Sequence, residues 1–173
     1  MQPTNRSSRI LLPVKLWFVW LSLIVALGLR YIPTGRLPGV PDWVALVLAF
    51  WCIREPLKVG MGTAFVLGLL VDIGLGAAMG QHALAYVVLA YLAAGLSRRV
   101  LWFSPLEQAL HVLPVLLLAQ LLMVLVRLLA GAEFPGWWYF AASFSAALLW
   151  WPLTFLLLLP QYQPVERDEN RPI

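Results

Sequence analysis

One carboxylate stands where water is expected to be scarce. Asp72 lies inside the apolar stretch Gly68-Leu69-Leu70-Val71-Asp72-Ile73-Gly74-Leu75-Gly76. A charge at mid-bilayer costs roughly 2.5–3.5 kcal/mol on insertion scales, so such a residue needs a partner or a task. Small residues recur around it in four-residue steps, at Gly60, Ala64, Gly68, Gly76 and Gly80. A stripe of that kind lets another helix approach until backbones touch. Four-residue steps drift by about 40° on a straight helix, so only a few of these positions share a face, and Gly68, Asp72 and Gly76 are the best set. Two chemistries compete. Asp72 either binds a ligand or proton, or it fastens its helix to a neighbour through an ion pair or hydrogen bond. The second is favoured, with Arg127 as the expected partner and Arg30 at the same surface. Gln120 lies seven residues before Arg127 and shares its helical face, which is expected to turn inward.

Other reactive side chains form no constellation. His82 falls in a loop, His111 near the start of a later apolar run, and the lone Cys52 inside another, so the histidines belong near opposite surfaces. A zinc site needs three or four convergent ligands, and no metal or cofactor is expected. A single cysteine also excludes an intramolecular disulfide. Glu107, Gln108 and His111 share a face near one membrane surface and read as a solvated helix end. The chain holds no HExxH, no GxSxG, no phosphate-binding glycine loop and no carboxylate cluster. The expectation is a protein without catalytic residues.

The elements that position these residues are read from composition. Of 173 residues 62% are hydrophobic and 12% charged. A soluble domain would carry about 45–50% and about 25%. The apolar residues form long runs without polar faces, for instance 16–29 and 112–126, as membrane spans do. The formal charge of +4 is spread singly or in pairs at the ends of those runs. That excludes a nucleic-acid footprint and suits lipid headgroups. Arg6, Arg9 and Lys15 precede the first run like the basic start of a signal peptide, but the run is long and others follow, so it reads as a retained helix.

Six apolar segments are expected, at 11–32, 40–53, 59–78, 83–97, 106–130 and 137–159, with a polar cytoplasmic tail at 161–173. The second is short for a crossing and could be re-entrant. Charge decides. If all six cross, Arg6, Arg9, Lys15, Arg54, Lys58, Arg98, Arg99, Arg167 and Arg171 lie on one side, against Arg30, Arg36 and Arg127 on the other. If the second does not cross, the split becomes four against eight. The positive-inside rule selects six crossings with both termini cytoplasmic, hence one all-α transmembrane domain over 1–160. Trp137, Trp138, Tyr139 and Phe140 would form an outer aromatic belt, Trp102 and Phe103 an inner one.

The middle of the chain then resembles a known family. Pro41-Asp42-Trp43, Trp51, Pro56, Gly60, Phe65, Gly68-Leu69-Leu70-Val71-Asp72, Gly76, Gly80, Ala83-Leu84 and Tyr86 are similar in order and spacing to the pattern of MreD, the rod-shape-determining membrane proteins of bacteria. The likeness covers roughly residues 40–100. It implies a non-catalytic inner-membrane scaffold of cell elongation and lateral peptidoglycan synthesis. The implied partners are a bitopic MreC-like protein, MreB, RodZ, RodA with its penicillin-binding transpeptidase, and membrane lipid. It also implies a six-helix bundle similar to the substrate-binding subunits of energy-coupling-factor transporters. A small-solute transporter subunit, with Asp72, Gln120 and Arg127 lining an outward pocket, is the alternative.

Overall fold

The computed structural model describes residues 14–32 and 39–161. Residues 162–173 of the expected tail, with Arg167 and Arg171, and also Arg6, Arg9 and Arg36 lie outside them. Each expected apolar segment holds one helix: α1 Leu16–Tyr31, α2 Trp43–Arg54, α3 Met61–Leu75, α4 Gln81–Val100, α5 Pro105–Leu129 and α6 Ala141–Leu158. A 3-10 turn, Trp137–Phe140, leads into α6, and a second, Leu159–Gln161, follows it. Three of these helical stretches, Gln81–Val100, Pro105–Leu129 and Trp137–Gln161, are long and apolar enough to cross a membrane. The first three helices are shorter, at 16, 12 and 15 residues.

Consecutive helices alternate in direction. Lys58 Nζ, just after α2, donates to Val14 O at 3.1 Å, while Trp51 Nε1 donates to Ser22 Oγ at 2.8 Å, so α2 runs back along α1. Tyr31 Oη at the end of α1 donates to Leu70 O near the end of α3. One end of the bundle, the Arg30 end, therefore gathers the ends of α1, α3 and α5 and the starts of α2, α4 and α6. The opposite, Lys58 end gathers Lys15, Arg54, Lys58, Arg98 and Arg99.

The core is built around α2. Every residue from Val44 to Ile53 is at most 5% exposed. This sequence is apolar on all sides, which suits a helix enclosed by protein as well as one facing lipid, and the burial shows that α2 is enclosed. The short second segment is thus a single helix linking the two ends of the bundle, with no re-entrant hairpin. Around it, Trp51 and Trp150 pack edge-on or tilted against Phe50 at 5.0 and 6.0 Å. The outward surface is the reverse of a soluble protein's: Ile24, Ile73 and Leu148 are 62%, 65% and 80% exposed. Cys52 sits on the enclosed helix with no exposed surface. It should resist a membrane-permeant maleimide in the folded protein and react fully after denaturation; equal labelling in both states would contradict a central α2.

The α5 entry is set by local chemistry. Ser104 and Glu107 form a reciprocal capping box, with Pro105 at the first helical position where its missing N–H costs nothing. Glu107 is exposed, in line with a solvated helix end, but Gln108 is buried. Its amide donates to Phe103 O at 2.9 Å and its oxygen accepts from Trp150 Nε1 at 3.4 Å. The aromatic belts also divide. Trp102, Trp137 and Trp138 are 89%, 82% and 76% exposed, whereas Phe103 stacks on His111 and Tyr139 turns inward.

Candidate functional site: a buried polar belt

Asp72 is a helix cap supplied from the wrong helix. Its face of α3 carries Ala64, Leu67, Gly68, Val71 and Asp72, the buried stripe of a 3.6-residue period. Gly76, at φ +60°, ends α3: Ala77 N–H donates to Asp72 O at 3.0 Å and Gly76 N–H to Ile73 O at 3.3 Å, closing a Schellman turn. The chain then folds back so that α4 starts over the Asp72 side chain. The residue before α4 is Gly80, which has no side chain to cap with. Asp72 acts in its place. Its carboxylate accepts from the backbone N–H groups of Gly80 at 2.9 Å, His82 at 2.9 Å and Ala83 at 3.3 Å. Those are the orphan donors a helix start leaves, and a carboxylate there also faces the positive end of the helix dipole. The His82 ring adds a contact from Nδ1 at 2.8 Å. Both side chains are buried, at 3% and 0% exposure.

The expected Asp72–Arg127 ion pair is absent among the described residues. The reason is saturation: four donors from the first turn of α4 already occupy the carboxylate. Gly68 does take the packing role expected of it, because a Cβ there would overlap the backbone of His82 and Ala83. Gly76 does not. It is exposed, nothing lies near its would-be Cβ, and its task is the left-handed turn that ends α3. Gln120 and Arg127 stay on α5, away from Asp72. Gln120 ties α5 to α6, accepting from Ser143 Oγ at 2.6 Å and donating to Tyr139 O at 3.2 Å.

A second carboxylate completes the belt. Asp42 caps α2 by accepting from Ala45 N–H at 3.2 Å, and the buried Tyr86 hydroxyl lies 2.9 and 2.8 Å from its two oxygens. Tyr86 also meets the His82 ring edge-on at 5.9 Å, so the two carboxylate sites adjoin across one turn of α4. Asp42 is the principal electrostatic neighbour of Arg30. It also lines, with Gln120, Met123 and Ser143, a cavity of about 10 Å³, room for one water. Tyr86→Phe should lower stability by about 1.5–3 kcal/mol, the range for a buried hydrogen bond to a charged group, in a reversible unfolding titration. An unchanged midpoint would remove Tyr86 from the belt.

No nucleophile–base pair is formed by these contacts, and among the described residues no three His, Cys, Asp or Glu side chains gather. Their product is fixed helix geometry. The family model for "rod shape-determining protein MreD" matches residues 8–160. The chain belongs to the MreD family. A curated relative, the rod shape-determining protein MreD of Haemophilus influenzae, is 36% identical over 149 residues, covering 82% of this chain and 89% of that protein. No solved structure matches significantly, so the expected likeness to energy-coupling-factor subunits has no support from that side. Membership makes this a membrane protein with a role in cell shape, in a shape-determining family not known for catalysis. Several residues that carried the MreD likeness now have physical tasks. Asp42 and Asp72 cap helices, Tyr86 joins α4 to α2, Trp51 ties α2 to α1, Gly68 seats α4, and Gly76 and Gly80 shape the turn between α3 and α4.

Proposed function

We propose that this chain is a non-catalytic scaffold of the cell-elongation machinery in the bacterial inner membrane. It crosses six times with both termini cytoplasmic and binds an MreC-like bitopic protein. In that setting it works alongside MreB, RodZ, RodA and its penicillin-binding transpeptidase to sustain lateral peptidoglycan synthesis. The charge pattern of the described residues supports the orientation: Lys15, Arg54, Lys58, Arg98 and Arg99 at one end, Arg30 and Arg127 at the other. The short α2 is no obstacle. At about 1.5 Å per residue it reaches about 18 Å against a hydrocarbon core of about 30 Å, but it touches protein on every side and need not match the lipid.

The observation that carries the scaffold reading is the use made of buried polarity. Asp72, Asp42, Tyr86, Gln120 and Ser143 bind other parts of the bundle. The outward faces are left for lipid and partner helices. A transporter would need a polar cavity around Asp72; that carboxylate is enclosed instead, which weighs against the alternative. The test is depletion in a rod-shaped host, with affinity capture of the tagged protein from solubilised membranes. Rounded cells and co-purification of an MreC-like protein are expected. Normal rods together with no such partner would sink the proposal.

A further inference from the structure

Two cations at the Arg30 end are left over from the belt. The Nε atoms of Arg30 and Arg127 are shielded from solvent and have no hydrogen-bond partner. Both side chains are half-buried, so the rest of each guanidinium reaches the surface. The carboxylate neighbouring Arg30, Asp42, already accepts from Ala45 and Tyr86. A buried donor without an acceptor costs more than a satisfied one, and a fork of five guanidinium donors matches a phosphate or carboxylate.

Both arginines stand at the same end of the bundle, in the last turns of α1 and α5. Met123, one turn before Arg127 on α5, lines the same cavity as Asp42, and the Tyr139 hydroxyl reaches its sulfur at 3.5 Å. Asp42, Arg30 and Arg127 are all electrostatic neighbours of Tyr139. That hydroxyl gives its one proton to sulfur in a long contact, which a phosphate oxygen within reach would replace. Two turn residues beside Tyr139, the exposed Trp137 and Trp138, mark headgroup depth, where indole rings partition.

We propose that the Arg30 end of the bundle carries an oxyanion site, in which the guanidinium groups of Arg30 and Arg127 grip a phosphate group beside the Tyr139 hydroxyl. The depth favours the phosphate of a lipid headgroup; inorganic phosphate is the other source of the same chemistry. Arg98 and Arg99 lie at the opposite end and provide a control of equal charge.

The experiment uses the purified full-length protein. Added phosphatidylglycerol is followed by native mass spectrometry, and inorganic phosphate by tryptophan fluorescence. At least one probe should bind, and R30Q/R127Q should weaken it by about tenfold or more, the loss of charge-assisted hydrogen bonds from two arginines. R98Q/R99Q should leave it unchanged. Binding of phosphatidylglycerol alone assigns the site to lipid, and binding of phosphate alone to the free ion. Three results overturn the proposal: neither probe binds, the double variant binds like the parent, or R98Q/R99Q loses as much. Arg30 faces the Asp42 carboxylate, so the ligand-free midpoint of R30Q/R127Q is read beside binding. R127Q leaves Arg30 beside Asp42, and it must lose affinity at the parent's midpoint for the site to stand. R127Q alone, expected to bind severalfold more weakly, serves if the double variant cannot be purified. Failure here leaves the scaffold proposal standing, since that proposal is tested by cell shape and partner capture and not by anion binding.

Discussion

Asp72→Ala is expected to lower the stability of the purified protein by about 3 kcal/mol or more. The change strips acceptors from three backbone N–H groups and from the His82 ring, all at the buried start of α4. Each buried donor left without a partner costs about 1–3 kcal/mol, and one lost cap alone costs about 1 kcal/mol. Interhelical hydrogen bonds in membranes often measure less, about 0.6 kcal/mol on average, because the separated helices find other partners. That discount is small here. The contacts to His82 and Ala83 are buried, whereas the half-buried Gly80 N–H can turn to water. Asp72→Asn should lose about half as much, since its one carbonyl can serve His82 while its NH2 confronts the remaining donors.

The same variant decides between the two partners considered for Asp72. If the carboxylate paired with Arg127, D72A and R127A would be strongly non-additive. The capping geometry predicts additivity within about 0.5 kcal/mol for that pair and clear coupling between D72A and H82A. A reversible unfolding titration in mixed micelles measures all of these. Wild-type stability for D72A would refute the capping role outright.

How much of this was legible in the chain follows the range of each signal. The six helices were legible because apolar runs and their breakers are local: Arg54-Glu55-Pro56 ends α2 and Arg98-Arg99 closes α4. The end of α3 at Gly76 was not, since that glycine read as part of a packing stripe in a run extending to 78. The buried stripe of α3 was legible from its period. The partner of Asp72 was not, because it depends on a turn that carries the chain back over its own helix. A hint existed in Gly80-Gln81-His82, an apolar run opening without a capping side chain of its own. Pro41-Asp42-Trp43 before an apolar run likewise announces a helix cap, yet its bond to Tyr86 spans 44 residues and has no local signature. Ser104 and Glu107 have the spacing of a capping box, a more specific statement than a solvated helix end. The central place of α2 was not legible, because a helix apolar on all sides reads alike whether protein or lipid surrounds it.

These assignments explain how a membrane protein of a shape-determining family can hold charged residues among apolar helices. Each carboxylate of the belt caps the start of a helix, and each link joins two different elements of the bundle. Asp72 sets α3 on α4, Asp42 and Tyr86 set α2 on α4, and Gln120 with Ser143 sets α5 on α6. Polar groups locate helices more sharply than apolar packing does, because an orphaned donor in lipid has no solvent to turn to. A bundle fixed in this way presents constant outer faces, as a scaffold for other membrane proteins requires.

Gly68→Ala should destabilise by about 1–3 kcal/mol, although alanine is the better helix former. The added Cβ would overlap the backbone at His82 and Ala83, which cannot rotate away as a flexible side chain would. Either α4 lifts or α3 bends, and both movements pull the capped N–H groups off Asp72. G68A and D72A should therefore be less than additive, since each removes part of what the other depends on. Gly62→Ala on the same helix is the control. Nothing lies within 4 Å of its would-be Cβ, so the substitution should be neutral or stabilise by up to about 1 kcal/mol through helix propensity alone. Opposite signs at two glycines six residues apart would separate close helix approach from propensity. Equal effects would mean that Gly68 has no special contact, and the seating of α4 on α3 would have to rest on Asp72 alone.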